Sequence, residues 1–477
     1  MTSIIILISG SCKSWAILTN FAYEQSLSGA NVEVIDFTNI QRFFPRSYRR
    51  KVLEKKLSKS HRFKFYRVKK LSKATFYTFV LVCRMLPSIL LRRNFDFIHE
   101  KNLNSFISYT VESRLAQTMG TRYYELKDVP RRFRAKFLFQ ALMSNHILNN
   151  LYGKMHDFEL ILFNGREPLE SLWIRRFLDQ GGKVRILERA SSDRRYEVYE
   201  VSPHFHPEWW TKIETFSSHA NSWTLGELAI DQNYLKNKIE GYDSFMGEKW
   251  SRIQNLVEAQ VKLPPEYVLF FATSTHEFSP IDEFNCSEGY QSQFDAVDAL
   301  YSICKKLGLP LVIRRHPNSV SPLDGFDYEF SRWQKYIASD IYFIEPSEKI
   351  DLHSITANAR VCFIWRSSIG VETIALGKST YALGSAKWAW GASSRTWNHE
   401  DIEKAIQNPK PNDASEFRRY LAYMARGGVN LTLFESANRF FAVDKYGNRI
   451  YPIILGPLIG KYQGLKHKIF GFTKRKA

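Results

Sequence analysis

Hydrophobic and polar positions alternate between two periods along most of this chain. Short apolar, β-branched runs predict strands at residues 4–8, 32–35, 96–99, 122–126, 158–163, 184–187, 267–272, 311–313 and 359–365. Runs of this length bounded by turn residues fit strands buried on both faces of a parallel sheet. Between them, stretches with a helical period predict helices at 14–27, 105–119, 169–180, 291–307, 351–359, 371–376, 399–407 and 414–426. Strand and helix in alternation are the mark of βαβ units, and the first unit reads as Rossmann-like. A single Gly10 follows the first strand, so no dinucleotide-binding G-x-G-x-x-G opens the following helix.

The breaks after the predicted strands carry the candidate chemistry. Residues 311–313 run into Arg314-Arg315-His316-Pro317-Asn318, and 359–365 end at Ser367-Ser368-Ile369-Gly370, followed by a helical stretch and Gly377-Lys378. A strand, a hydroxyl-rich turn and a helix start together present free N–H groups, a helix dipole and two hydroxyls, an arrangement suited to an anion. In a parallel α/β sheet such turns lie at the carboxyl ends of strands, where ligands bind. Thr273-Ser274-Thr275-His276 is another hydroxyl-rich turn at such an end, and Glu372, one turn into its helix, is placed for a ribose hydroxyl. Taken singly, a serine pair before a helix is more often a plain cap.

In order and spacing, His-Pro followed by Ser-Ser-x-Gly-x-Glu-x-x-x-x-Gly-Lys resembles the second domain of GT-B glycosyltransferases that build bacterial surface polysaccharides. It looks most like the capsule polysaccharide biosynthesis group, relatives of transferases that use CMP-activated Kdo or sialic acid. Ser379 stands where that pattern usually has proline. The resemblance implies an α/β fold of two Rossmann-like domains facing a cleft. It gives His316, Pro317, Ser367, Ser368 and Gly370 the nucleotide phosphate, with Arg315, Ser274, Thr275 and Glu372 beside them.

Strand ends in the first half resemble the acceptor domain of the same enzymes. Gly10 and Ser11 follow the first strand, Asn164-Gly165-Arg166-Glu167 follow 158–163, and Glu188-Arg189 follow 184–187. Gly10, Ser11, Asn164 and Arg166 are accordingly expected on the acceptor side. A transferase needs a base at the acceptor hydroxyl. Glu125 is the first choice because it sits at a strand end, with Asp128 and Glu167 behind it.

Length supports two cores: 477 residues exceed one ordinary domain. The expected division is 1–262 as acceptor domain, 263–410 as nucleotide-sugar domain, and 411–477 as helices crossing back plus a basic tail. Residues 203–263 are expected to be a polar, aromatic insertion and linker, with a last helix over 250–261. Basic residues outnumber acidic ones by 67 to 48, which implies an anionic partner. From Arg42 to Lys70 the basic residues recur with Phe43, Phe44, Tyr48, Phe63, Phe65 and Tyr66 between them, and the tail from Leu465 repeats that character. A solvated helical face is one reading of the first stretch. The interleaved rings favour a surface resting on anionic lipid, and two such regions give the two signals that membrane association requires. Residues 76–91, cut by Arg84 and Pro87, are too short and too interrupted to span a bilayer.

Five scattered cysteines without a C-x-x-C pair indicate reduced thiols in a cytoplasmic protein. His204-x-His206 lacks a third partner, so no metal and no cofactor are expected. The resulting expectation is a transferase at the inner face of the cytoplasmic membrane. It would move a sugar from a nucleotide-activated donor, CMP-linked by preference, to a polysaccharide or lipid-linked acceptor. A sugar-nucleotide 2-epimerase shares the serine turn and the double-Rossmann architecture. A nucleic-acid-binding protein would suit the charge, but no RNA- or DNA-binding signature is present.

Overall fold

The computed structural model describes residues 3–8, 12–36, 53–55, 57, 63–67, 110–116, 119, 129–152, 158–165, 168–192, 194–200, 206–218, 220–239, 262–275, 289–316, 319, 327, 329–337, 339–348, 350–391, 393, 395–396, 398–437 and 442–450. Two large sheets, one mostly and one wholly parallel, organise them. The first contains β1 (Ser3–Ile8), β2 (Asn31–Asp36), β3 (Phe63–Arg67), β4 (Phe158–Phe163), β5 (Lys183–Arg189), β6 (Arg195–Tyr199) and, from far along the chain, β12 (Val429–Asn430). Their order is β12-β6-β5-β4-β1-β2-β3. The five strands from β5 to β3 are parallel, and β6 and β12 add antiparallel at one edge. Helices α1 (Cys12–Leu27), α2 (Arg131–Tyr152), α3 (Pro168–Asp179), α4 (His206–Ser217) and α5 (Leu225–Ile239) accompany this sheet.

The second sheet is all parallel, in the order β11-β10-β7-β8-β9. It is built from β7 (Tyr267–Phe271), β8 (Leu311–Arg314), β9 (Tyr342–Ile344), β10 (Ala359–Ile364) and β11 (Thr380–Ala382). Every residue of β7 and β8 is buried, as parallel strands covered on both faces require. Its helices are α6 (Gln293–Leu307), α7 (Phe330–Ile337), α8 (Leu352–Ala357), α9 (Ile369–Ala375) and α10 (His399–Gln407). Local chemistry sets their ends. Ser292 and Asn398 accept from Asp295 and Asp401 as N-caps, and Gly308 closes α6 in the left-handed region with φ 67°.

Helix α11 (Ala414–Arg426), capped by Asp413, then packs against α4 and α5. Beyond it β12 pairs with β6, and β13 (Phe434–Ala437), β14 (Ala442–Asp444) and β15 (Arg449–Ile450) form a small antiparallel sheet against α1. Phe434 meets Trp15 edge-on at 5.6 Å, and the Thr432 and Leu433 amides donate to Asn20 Oδ1 at 2.8 and 2.7 Å. One apolar cluster runs across both halves and includes Trp173, Trp209, Ile213, Trp388, Tyr420 and Tyr423.

Three segments differ from expectation. Residues 206–239 form the helices α4 and α5, packed by Trp209, Ile213 and the buried Asp231, where a polar insertion was expected. Within the basic, aromatic stretch, Phe63–Arg67 is the edge strand β3, paired parallel to β2. Strand β6 and helix α2 were not anticipated. The strands expected at 96–99 and 122–126, the helix at 250–261, the apolar run 76–91 and the basic tail lie outside the described residues. Among the described residues no helix is long and apolar enough to cross a membrane.

Candidate nucleotide site and the seam between the sheets

A doubly wound sheet has a point where successive crossovers leave in opposite directions, and a crevice opens there at the carboxyl ends of the strands. In the second sheet that point lies between β7 and β10. The turn after β7 is Thr273-Ser274-Thr275 and the turn after β10 is Arg366-Ser367-Ser368, so two of the expected motifs stand on either side of that point. They also touch, since the Arg366 amide donates to Thr273 Oγ1 at 3.1 Å.

Gln293, the first residue of α6, clamps the β7 turn from behind. Its Oε1 accepts from the Thr273 amide at 3.0 Å, and its Nε2 donates to Thr273 O at 2.9 Å and to Thr275 Oγ1 at 3.3 Å. Ser274 Oγ is fully buried and has no hydrogen-bond partner among the described residues. An unpaired buried hydroxyl is costly, and one placed at a strand end suggests that something is meant to meet it.

On the β10 side, Ser368 is exposed at the N-cap of α9 and makes no side-chain cap bond, while Ser367 Oγ accepts weakly from the Ile369 amide at 3.4 Å. Trp388 Nε1 donates to Ser367 O at 2.9 Å, and its ring lies against Gly370. Glu372 is half-buried within α9.

His316 is half-buried at the end of the neighbouring β8, its carbonyl accepting from the Ser319 amide. Arg315 occupies a different environment from the one expected. Its side chain is fully buried, stacked over Trp333 and paired with Asp327 at 2.6 Å and Glu345 at 3.3 Å. Those two carboxylates and the indole give its guanidinium a task inside the wall. Pro317 lies outside the described residues.

Sequence reasoning missed Gln293, Arg366 and Glu329. Arg366 is buried between the two turns, and Glu329 accepts from the Thr275 amide at 3.0 Å and from Trp333 Nε1 at 3.4 Å. Burial pushes the Glu329 carboxyl up to about 7, against the opposing pull of the Thr275 bonds and Arg315. Its proton is therefore retained in the folded chain after the unfolded chain has released it. Stability should fall as pH rises from about 4.5 to 7, by on the order of 3 kcal/mol from this group. Urea unfolding at pH 5 and pH 8 checks this, because Glu329→Gln should remove that part of the slope.

In the first sheet the corresponding crevice lies beside β4. Asn164, directly after that strand, holds φ 67°, the one left-handed non-glycine among the described residues, and Gly165 follows at φ 68°. The Asn164 amide donates to Leu187 O at 2.7 Å and its Nδ2 donates to Glu188 Oε2. Glu188 Oε1 accepts from the Arg189 amide at 2.8 Å. Across the antiparallel pair Glu188 faces Glu197, which is buried and accepts from Tyr199 and Tyr423. Burial raises the Glu197 carboxyl, and Lys387, in the segment after β11, acts against that rise. The Lys387 ammonium lies 4.4 Å over the Trp209 ring, whose Nε1 is buried without a hydrogen-bond partner. Gly10, Ser11, Glu125, Asp128, Arg166 and Glu167 lie outside the described residues.

Among the described residues no group of three or more histidine, cysteine or acidic side chains could hold a metal ion. Cys304 and Cys362 are buried free thiols that burial pushes up to about 12.

No family model and no curated protein matches the chain. Among solved structures it is similar to the KpsC β-Kdo 2,4-transferase of Thermosulfurimonas dismutans, at 13% identity and TM-score 0.38, over 55% of this chain and 78% of that one. The KpsC β-Kdo 2,7-transferase from the same organism matches at 14% identity and TM-score 0.37, over 67% and 89% of the two chains. UDP-GlcNAc 2-epimerase from Methanocaldococcus jannaschii matches at 12% identity and TM-score 0.25, over 89% and 98%. The two doubly wound parallel sheets make this chain an α/β protein of two Rossmann-like domains.

Proposed function

We propose that this chain is a glycosyltransferase moving a sugar from a nucleotide-activated donor, CMP-linked by preference, to a growing surface polysaccharide or lipid-linked acceptor. The observation that carries the reading is the switch point of the second sheet. There the Thr273-Ser274-Thr275 turn, which carries the buried and unpartnered Ser274 hydroxyl, is joined to the Arg366-Ser367-Ser368 turn by the bond from the Arg366 amide to Thr273 Oγ1. Hydroxyls and amides held in place before the reaction are suited to the negative charge that develops on a departing nucleotide phosphate. His316, on the next strand, would complete that side. A carboxylate at a strand end of the first sheet would serve as the base, Glu125, Asp128 and Glu167 being the candidates that the sequence motifs offer, and the donor site needs no metal on this reading.

Calorimetric titration with CMP, UDP and GDP should show micromolar to millimolar binding of one nucleotide. A donor screen with mass-spectrometric detection should then show sugar transfer. His316→Ala, or Ser367→Ala with Ser368→Ala, should lower transfer about a hundredfold, since each removes donors to the developing charge, while far-ultraviolet circular dichroism stays unchanged. Wild-type turnover in both variants would sink the assignment. Conversion of UDP-GlcNAc to its 2-epimer without transfer would replace it by an epimerase. We further propose attachment to an anionic membrane surface through the basic, aromatic regions. Co-sedimentation with anionic vesicles at low salt and release at high salt test that part; tight RNA binding in its place would overturn it.

A further inference from the structure

We propose that Glu188 is the group that takes the acceptor's proton in this transfer, with Asn164 as its positioning residue. The inference rests on the transferase reading above and names the base within it.

Placement comes first. Glu188 lies near the carboxyl end of β5, the strand next to β4, and β4 with β1 flanks the point where the first sheet's crossovers change direction. A transferred sugar must reach an acceptor on this side while its phosphate stays on the other, so a base belongs at this sheet's strand ends. The Glu188 carboxylate is half-buried and fixed from two directions, by the Asn164 amide group and the Arg189 backbone N–H. Each bond uses one lone pair of a different oxygen, and both oxygens keep a second lone pair for an incoming hydroxyl.

Glu197, facing Glu188 across the strand pair, is the competing carboxylate. It is buried and spoken for by two tyrosines, and burial favours its neutral form, so it cannot meet an acceptor. The second domain supplies Lys387 to the same neighbourhood, which places Glu188 on the seam between the sheets.

The step balances. The acceptor oxygen forms a bond to the donor's anomeric carbon, the bond from that carbon to the phosphate oxygen breaks, and its electron pair leaves with the nucleotide. The hydroxyl proton passes to Glu188 Oε.

The test uses the full chain with CMP-Kdo, CMP-N-acetylneuraminate and UDP-GlcNAc as donors, and saccharide acceptors. Nucleotide release and mass spectrometry supply the rate, and calorimetry with free CMP and UDP supplies affinity. Glu188→Gln should lower turnover roughly a hundredfold or more, with nucleotide affinity within about twofold. Asn164→Gly keeps the left-handed backbone but removes the clamp. It should lower turnover less, about tenfold, with nucleotide affinity and melting temperature unchanged, because only the aim of the carboxylate is lost. A merely structural asparagine would lower stability and nucleotide affinity along with turnover. Full turnover in Glu188→Gln, equal loss of nucleotide binding in that variant, or inactivity of Glu125→Gln alone overturns Glu188 as the base and leaves the transferase reading standing. An unaltered chain that neither binds a nucleotide nor turns over a donor overturns the reading on which this rests.

Discussion

Arg426→Met is expected to lower the unfolding free energy by about 4 kcal/mol, the largest loss for any single change at the seam between the two halves. Arg426 ends α11 and is nearly buried. Its Nε and Nη2 reach Asp231 at 2.8 and 3.1 Å, its Nη1 reaches Glu227 at 2.7 Å, and its guanidinium lies 4.6 Å from the Trp223 ring and 5.4 Å from Phe216. Methionine keeps most of the apolar stem. The cost therefore comes from Asp231, whose side chain is 6% exposed and would be stranded with an uncompensated charge. Adding Asp231→Asn should recover part of the loss, so the double variant should cost less than the two single changes summed. Urea unfolding of the four proteins measures this; additive effects would show that the pair is not coupled.

Gly370→Ala should cost about 3 kcal/mol and abolish nucleotide binding. A Cβ at this position would lie 2.1 Å from Trp388 Cε2 and 2.4 Å from Cζ2. The indole cannot step aside cheaply, because it is 3% exposed and its Nε1 is tied to Ser367 O. Relief must come from the Ser367-Ser368 turn itself, so stability and site are disturbed together. Thermal unfolding and CMP titration of the variant report both, and an unchanged melting temperature would show that the turn has more room than its packing suggests.

The second sheet was legible because its central strands are buried on both faces, and unbroken apolar runs such as 267–271 and 361–364 have no competing period. Helices α10 and α11 coincide with the expected 399–407 and 414–426, each having an Asn or Asp cap and a clear apolar face. The first sheet's edge was not legible for the opposite reason. In Arg-Tyr-Glu-Val-Tyr the core position Glu197 is a carboxylate, which reads as surface until Tyr199 and Tyr423 are seen to donate to it. Helix α5 likewise buries Asp231, and its burial makes sense only with Arg426 in place, 195 residues later.

At the candidate site, turns are local and could be seen: Thr273-Ser274-Thr275 follows β7 and Ser367-Ser368 follows β10, and the Arg366 amide joins the two turns through Thr273 Oγ1. What holds them is not local. Gln293 reaches back 20 residues to Thr273, and Glu329 reaches back 54 to Thr275. Arg315 was expected to face the nucleotide beside His316, yet its partners Asp327, Glu345 and Trp333 come from elements that spacing alone does not bring together.

The return of the chain to its first sheet has a consequence for synthesis. Asn20 accepts from the amide of Thr432, 412 residues later, so the face of α1 that carries Trp15 has no cover until β13 emerges. At the usual pace of a ribosome that interval is on the order of half a minute. Closing so long a loop costs about 5 kcal/mol of chain entropy, only ~0.6 kcal/mol more than closing one half as long. Distance along the chain is thus a small thermodynamic burden and a large temporal one: the amino-terminal half emerges with an unfinished edge at β6 and an uncovered tryptophan until its last strands are made.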